Sequence, residues 1–237
     1  MDELPVGTKL DLIVAAGELF AESGLDGTSV RAIAEKANAN IAAINYHFGS
    51  KENLYIEVLR YVVLEGRGKR PTAYLQEDER LHEPGGVAEA IYQIVREEFA
   101  SFFSPAHPRW HGRLILRSLL DPTPSFQVVL RQIFEPDHEA LKAIFLRSSP
   151  DMSDKEAQFW AFSLTAQVAF YEFCREPILI HLGRERYDQE FLEAAAEHVA
   201  RATIAALGLP QPAKGPRDLA VNGDAACDVL AKSEVRE

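Results

Sequence analysis

Apolar residues recur at helical spacing along almost the whole chain, and the alternation typical of strands is scarce. The segment Lys9–Ser23, KLDLIVAAGELFAES, shows this spacing clearly. Its apolar positions fall on one helical face: Leu12, Ala15, Ala16, Leu19 and Phe20. Gly24 follows as a helix C-cap. The pattern predicts an all-α protein.

Eight further helices are predicted by the same periodicity and by capping residues. They cover residues 29–37, 41–48, 51–67, 86–103, 108–121, 124–147, 153–177 and 187–207. Pro136 should kink or divide the helix over 124–147, because a proline inside a helix removes a backbone hydrogen bond. Gly208 and Pro210 end the last helix.

Three regions follow from this series of helices. Residues 1–52 form a small helical head, in which short helices are joined by tight turns, and residues 53–208 form a larger body of longer helices. Residues 209–237 are rich in proline at first and then only weakly apolar, so we predict a linker and a loose C-terminal end.

The head has the spacing of a helix-turn-helix motif at Ser29–Ala37 and Ile41–Phe48. The apolar positions Ile33, Ala34, Ala37, Ile44 and Phe48 are spaced to pack against the first helix. This packing leaves a set of small, polar and apolar residues facing outward: Ile41, Ala42, Asn45 and Tyr46. Such a surface can approach base edges in the major groove, while phosphate contacts elsewhere supply affinity.

The charge of the chain is compatible with DNA binding only within the helix-turn-helix segment. The 237-residue chain has a formal charge of −11, which argues against non-specific coating of nucleic acid. Between Thr28 and Lys51, however, three basic residues accompany one acid, Glu35. Backbone N–H groups at the helix starts near Asn40 and Ser50 add anion sites. A plain helical hairpin without a role in DNA binding is the alternative.

The stretch FAESGLDGTSVRAIAEKANANIAAINYHFGSKENLY resembles the N-terminal domain of the TetR family of transcriptional regulators. The shared features are Phe20 and Gly24 at the end of the first helix, SVRAIAEKA in the second, YHF, and SKENL at the start of the fourth. The resemblance implies a helix-turn-helix domain that binds operator DNA. It also implies a larger helical domain for ligand binding and dimerisation.

The resemblance also implies roles for individual residues of the head. Arg31 matches a side chain that reaches a base edge or a phosphate, and the start of the third helix at Asn40 offers backbone amides. Ile41, Ala42 and Asn45 match base-reading or groove-lining positions. The phosphate-contacting positions are matched by Ala43, Tyr46, His47 and Lys51. Three positions depart from the usual pattern: Asn38 replaces Gly, Ala43 replaces Thr and Asn45 replaces Tyr.

The segments RLILRSLLDPTPSFQVVLRQIFEPDHEALKAIF and AFSLTAQVAFYEFCREPILIHL resemble the CecR-like subgroup of TetR regulators. This resemblance implies a homodimer and a small-molecule effector. The last two predicted helices suit a dimer interface, because one is aromatic all round and the other carries small residues. The interface residues are predicted to be Phe159, Trp160, Ser163, Leu192, Ala195, His198, Val199 and Ala202. A central core helix of a monomer is the alternative.

Polar side chains within apolar helices mark the predicted effector site. The residues are Phe99, Phe103, Trp110, His111, Arg113, Arg117, Gln167, Phe170 and Tyr171. An arginine there would favour an anionic ligand. Structural ion pairs of these arginines with Glu97, Glu98 or Asp121 are the alternative.

Other chemistry has weak support in the sequence. His107 and His111 have the spacing of metal ligands on a helix, but Pro108 disfavours helix at His107 and no carboxylate joins them. Catalytic and nucleotide-binding motifs are absent, so no cofactor, no metal and no enzymatic activity are expected. Cys174 is predicted to be buried and Cys227 exposed, without a disulfide framework. This cysteine usage, the absence of a signal sequence and the absence of a long apolar run predict a cytoplasmic protein.

We therefore expect a homodimeric, ligand-responsive repressor that binds a pseudo-palindromic double-stranded operator and leaves it when a small-molecule effector binds. The effector is expected between the helices of Phe99–Arg117 and Ser163–Tyr171, where it would tilt the helix that begins at Lys51. Two alternatives remain: an all-α enzyme or small-molecule-binding protein with a structural head, and a metal-sensing regulator that uses His107 or His111.

Overall fold

The computed structural model describes residues 5–64, 69–77, 79–104 and 107–213, and within them all regular structure is helical. The predicted all-α class is confirmed. The described residues form twelve α-helices: α1 (Thr8–Gly27), α2 (Val30–Lys36), α3 (Ile41–Phe48), α4 (Lys51–Leu64), α5 (Pro71–Glu77), α6 (Pro84–Phe102), α7 (Arg109–Leu120), α8 (Pro124–Val129), α9 (Glu135–Leu146), α10 (Asp154–Phe173), α11 (Arg175–Leu182) and α12 (Gln189–Ala206). None of these helices is both long enough and apolar enough to cross a membrane.

Proline accounts for two breaks in the helical path. A π-helix, Leu130–Phe134, joins α8 to α9, and Pro136 is the second residue of α9, so the predicted division is confirmed. The single helix predicted over 153–177 is wrong, because α10 ends at Phe173 and α11 begins at Arg175. Pro177 has no N–H to donate to the carbonyl of Phe173, whereas it fits within the first turn of a new helix.

Two further elements escaped prediction. Helix α5 and a 3₁₀-helix, Glu79–His82, lie in the segment that the periodicity left unassigned. Both elements are short, and a short helix offers too few turns to show a period of 3.6 residues. The predicted tail beyond residue 213, with Cys227, lies outside the described residues, as does the end of the fourth predicted helix beyond Leu64.

The first of two compact units contains α1–α4, α7, α8 and the π-helix. Its core is formed by apolar side chains from the head and from α7, with Phe20, Ile33, Ile44 and Leu114 fully buried. The ring of Phe20 meets the ring of Tyr55 edge to face, with 5.0 Å between centroids. Helix α1 packs against both α4 and α7, so the core of the head extends to residues 108–134.

The second compact unit contains α5, the 3₁₀-helix, α6 and α9–α12. Helix α6 packs along α12, and α10 packs against α6, α9 and α12. The largest fully buried side chains of this unit are Tyr92, Phe99 and Phe145. Gly86 lies where the 3₁₀-helix meets α6, and a Cβ at this position would lie 1.9 Å from the carbonyl oxygen of Arg80. The approach of the two backbones therefore requires glycine.

Candidate nucleic-acid interface

Helix α3 presents the outward surface that its sequence predicts. Ile44 and Phe48 are 0% and 6% exposed, and they fix the inner face in the core of the first unit. On the opposite face Ile41 is 45% exposed and Tyr46 84% exposed, and Ala42 and Asn45 are also exposed. The core therefore determines which side of α3 is available to another molecule.

The turn and the caps around α3 follow from particular polar residues. The Asn40 side chain accepts a hydrogen bond of 2.8 Å from the backbone N–H of Ala42, which caps the start of α3. Asn38 adopts a φ of 49° in the turn before it, which asparagine tolerates in the place of glycine. Gly49, with a φ of 77°, ends α3. These short-range preferences fix where α3 begins and where it ends.

Charged side chains flank this surface. The Arg31 guanidinium lies 3.0 Å from the Glu35 carboxylate, and both side chains are mostly exposed. Such an exposed ion pair is weak, so Arg31 can exchange the Glu35 carboxylate for another anion. Lys36 pairs with Glu18 at 2.7 Å, and the hydrogen bond and charge of Glu18 raise the pKa of the Lys36 ammonium above its ordinary value. His47 is exposed, with its ring 5.0 Å from that of Tyr46.

The start of α4 is capped by Ser50, whose hydroxyl accepts a hydrogen bond of 3.1 Å from the N–H of Asn53. Hydrogen bonds from its own backbone N–H and from Ser50 lower the pKa of Glu52 below its ordinary value. The Lys51 ammonium points inward, where it donates to the carbonyl of Leu25 at 2.8 Å and to that of Thr28 at 3.1 Å. Lys51 therefore has an internal role that its sequence position did not indicate.

Comparisons with known proteins match both parts of the chain. Residues 12–58 match the model of bacterial regulatory proteins of the tetR family, and residues 87–207 match the C-terminal domain of the HTH-type transcriptional dual regulator CecR. The chain is 30% identical to CecR of Shigella flexneri over 192 residues, which cover 78% of this chain and 84% of that regulator.

The chain belongs to the TetR family. It is also 30% identical, over 153 residues, to the HTH-type transcriptional repressor Rv3405c of Mycobacterium tuberculosis, covering 65% of this chain and 67% of that repressor. Two solved structures share its fold. NalD of Pseudomonas aeruginosa has a TM-score of 0.58 at 22% identity and covers 84% of this chain and 95% of that one. PfmR of Thermus thermophilus has a TM-score of 0.55 at 20% identity and covers 90% of this chain and 100% of that one.

Membership confirms both resemblances seen in the sequence and the prediction of a DNA-binding transcriptional regulator without enzymatic activity. TetR-family regulators bind operators in DNA and act as dimers. The helix-turn-helix of the family corresponds here to α2 and α3, within the matched residues 12–58.

The nine residues predicted to bind an effector lie in different parts of the chain. Phe99, Phe103 and Tyr171 meet in the core of the second unit, where the Phe99 ring lies 5.5 Å from Phe103 and 5.4 Å from Tyr171. Gln167 and Phe170 are exposed on α10. The remaining four belong to α7 in the first unit: Trp110, His111, Arg113 and Arg117. Within the second unit, the structure thus brings together three of the five predicted residues that this unit contains.

Three residues absent from the sequence prediction complete this aromatic cluster. The Tyr187 and Phe191 rings stack at 5.0 Å, and the Arg175 guanidinium lies 5.4 Å from the ring centroids of Phe103 and Tyr187. Burial raises the pKa of Tyr187 to about 12, and its hydroxyl donates to the carbonyl of Tyr171 at 2.9 Å. The sequence signal that could have revealed these two residues is their four-residue spacing, with Tyr187 just before α12 and Phe191 in its first turn.

The eight residues predicted for the dimer interface divide into two groups. Leu192, Ala195 and Val199 are buried in the core of their own unit, and Trp160 is half-buried and stacks on Phe145. The other four are exposed: Phe159, Ser163, His198 and Ala202. Phe162 and Phe170, exposed by 57% and 55%, continue the exposed face of α10. Helix α10 therefore carries aromatic residues both in the core and on its exposed face.

An open groove of about 720 Å³ runs along the outer side of α12. It is lined by small and polar residues: Ala194, Glu197, His198, Arg201, Ala202, Ala205 and Gln211. Burial alone would raise the pKa of Glu197, but hydrogen bonds from Tyr92 and Arg201 outweigh it and lower that pKa.

Within the described part of the chain, no cluster of three His, Cys, Asp or Glu side chains could hold a metal ion.

Proposed function

We propose that this TetR-family regulator is a repressor whose α3 enters the major groove of its operator. The observation that carries this proposal is the exposed face of Ile41, Asn45 and Tyr46 on a helix whose opposite side is locked in the core. The face has no charge, so it can approach base edges closely, and affinity comes from groups around it.

The groups around α3 have separate roles in this proposal. The amide of Asn45 pairs with an adenine edge, and Ile41 and Ala42 line the groove. Tyr46, His47 and the backbone amides near Asn40 contact phosphates, as does Ala43 through its backbone. Arg31 exchanges Glu35 for a phosphate or a base edge.

A homodimer places two copies of α3 on a pseudo-palindromic operator, with half-sites about 34–36 Å apart or a multiple of that distance. The exposed stripe of α10 and the groove of α12 support a four-helix interface between subunits. The interface proposed here contains the exposed residues of the sequence prediction, joined by three neighbours: Phe162, Phe170 and Ala194. The buried residues Leu192, Ala195 and Val199 support it from beneath.

A small-molecule effector is proposed to lower operator affinity. The aromatic cluster of Phe99, Phe103 and Tyr171 supports an apolar, aromatic contact surface. Arg175 beside it is paired with Glu172, so a ligand with negative charge is proposed to displace that carboxylate from the guanidinium. Release requires the effector to bind the DNA-free state more tightly, by about 1–3 kcal/mol in typical cases.

Since its target is chromosomal DNA, the protein is proposed to act in the cytoplasm.

The proposed DNA surface is tested by Arg31→Ala and Tyr46→Ala. Each variant should lower affinity for a selected operator duplex by about tenfold or more, because each contact contributes roughly 1–3 kcal/mol. Both side chains are exposed, so thermal stability should not change. Gel-shift titration measures the affinity, and circular dichroism measures the stability.

Arg184→Ala is the matched control, because Arg184 is also exposed and paired with a carboxylate four residues on, but lies in the second unit. It should retain the affinity of the unaltered protein. If Arg31→Ala and Tyr46→Ala bind as well as this control, the proposed surface is wrong.

A further inference from the structure

Helix α1 is interrupted close to its end by Gly24, whose φ of 74° and ψ of 176° are not helical. Beyond such a break, backbone N–H groups no longer reach the carbonyls of the preceding turn, so those carbonyls need other partners. The carbonyl end of α1, defined here as residues 22–28, leads directly into α2 and so into the DNA-reading pair α2–α3. The groups that donate hydrogen bonds to these carbonyls therefore influence the orientation of α2–α3.

Thr28 supplies a side-chain hydrogen bond to these carbonyls from within the segment itself. Its hydroxyl is 2.8 Å from the carbonyl oxygen of Gly24 and 3.2 Å from that of Leu19, and the residue is 3% exposed. Thr28 immediately precedes Ser29, the N-cap of α2. The start of α2 is thus tied to the interrupted turn of α1.

Lys51 satisfies two more carbonyls from a different helix. It is the first residue of α4, and its ammonium donates to Leu25 at 2.8 Å and to Thr28 at 3.1 Å. A positive charge is favourable there, because helix carbonyls concentrate negative potential at a C-terminus. The contact spans 26 and 23 residues of sequence, so it joins the beginning and the end of the helix-turn-helix motif.

Arg117 donates from α7 to a further carbonyl of this end, that of Glu22. One guanidinium nitrogen donates to the carbonyl of Glu22 at 2.9 Å, and the other lies 3.2 Å from where a Cβ of residue 24 would stand. Glycine at position 24 therefore permits both the break and the approach of the guanidinium. The next residue, Ser118, lies 2.7 Å from the Tyr55 hydroxyl, which connects α7 to α4.

We propose that Lys51 and Arg117 are positioning residues for DNA recognition, which fix the carbonyl end of α1 and thereby the orientation of α2–α3. For Lys51 this replaces the phosphate contact implied by family resemblance. For Arg117 it replaces the predicted contact with an effector. The proposal rests on the proposed DNA-binding role of α3, and it assigns to these two cations an effect on affinity without contact with DNA.

Salt dependence separates a positioning cation from a phosphate contact. The probe is the best duplex that the unaltered protein selects from random DNA. Lys51→Met and Arg117→Met should each lower affinity for it roughly tenfold, because these variants lack the charged hydrogen bonds that orient α2–α3. The slope of log affinity against log salt concentration should stay that of the unaltered protein. A slope smaller in magnitude by about 0.9 in either variant would assign that cation to a phosphate and overturn the proposal.

Arg131→Met is the matched control, since it removes an exposed cation from the first unit whose hydrogen bond to Gln127 stays within its own helical stretch. Its affinity should lie within about twofold of the unaltered protein. Arg117→Lys keeps a donor and should recover part of the affinity. Unchanged affinity in Lys51→Met and Arg117→Met would also contradict the proposal.

A measurement without DNA distinguishes failure of this inference from failure of the proposed function. Amide hydrogen exchange at residues 25–33 should be faster in Lys51→Met and Arg117→Met than in Arg131→Met, at a temperature where all variants are folded. Equal exchange rates would overturn the positioning role whatever DNA the protein binds. Failure of the unaltered protein to select any duplex would instead contradict the DNA-binding role of α3.

Discussion

Replacing Ala202 by Glu is expected to convert the dimer into a monomer and to lower operator affinity by about 10²–10⁴-fold. Ala202 is exposed and lines the groove of α12, so a carboxylate there costs the isolated subunit little. In the proposed four-helix interface the same carboxylate would be buried, and Arg201 in the same groove is already paired with Glu197. A buried charge without a partner of its own is strongly unfavourable. Loss of the dimer removes the second α3, and with it the gain from binding two half-sites at once.

Sedimentation equilibrium measures the mass of this variant, and gel-shift titration measures its affinity. Ala202→Ser is the control, because it changes the same site with little added volume and no charge; it should remain dimeric. Retention of the dimer by Ala202→Glu would show that the groove of α12 lies outside the interface.

Replacing Gly86 by Ala is expected to lower the free energy of unfolding of the second unit by about 3 kcal/mol. The added Cβ would lie 1.9 Å from the Arg80 carbonyl oxygen and 2.4 Å from its carbonyl carbon. Both are backbone atoms, so a side-chain rotation cannot relieve the overlap, and the 3₁₀-helix must separate from α6. Urea denaturation followed by tryptophan fluorescence should show a lower midpoint, since Trp160 packs against the core of this unit and Trp110 reports on the first unit.

Gly85→Ala supplies the control one residue earlier. A Cβ at Gly85 meets nothing within 4 Å, so the substitution should be neutral or stabilise by about 0.4–1 kcal/mol through the unfolded chain. If both alanine variants have the midpoint of the unaltered protein, the close approach of the 3₁₀-helix and α6 is wrong.

Local signals in the sequence were enough to predict most of the fold and the outward face of α3. The spacing of Ile44 and Phe48 determines which side of α3 is buried, and Asn40, Ser29 and Ser153 begin helices because their side chains cap backbone N–H groups. Such effects act within four residues along the chain. The recognition of the TetR family rests on the same segment.

Contacts between distant segments account for what the sequence did not show. The contact of Arg117 with Glu22 crosses 95 residues, and no local pattern records it. Leu192 and Ala202 both looked suitable for an interface, because periodicity identifies an apolar face but does not say which neighbour covers it. Packing within the second unit, where α12 meets α6 and α10, buries Leu192 and leaves Ala202 outside.

Selection of duplexes from random DNA, carried out in parallel with the unaltered protein and with Asn45→Ala, tests most directly whether α3 reads bases. We expect two inverted half-sites for the unaltered protein, with their centres one helical turn or a multiple of it apart. Asn45→Ala should lack the preference for one adenine in each half-site and keep the others, because a bidentate amide contact contributes roughly 1–3 kcal/mol at a single base pair. Identical base preferences for the two proteins, or no enriched sequence at all, would contradict base reading by α3.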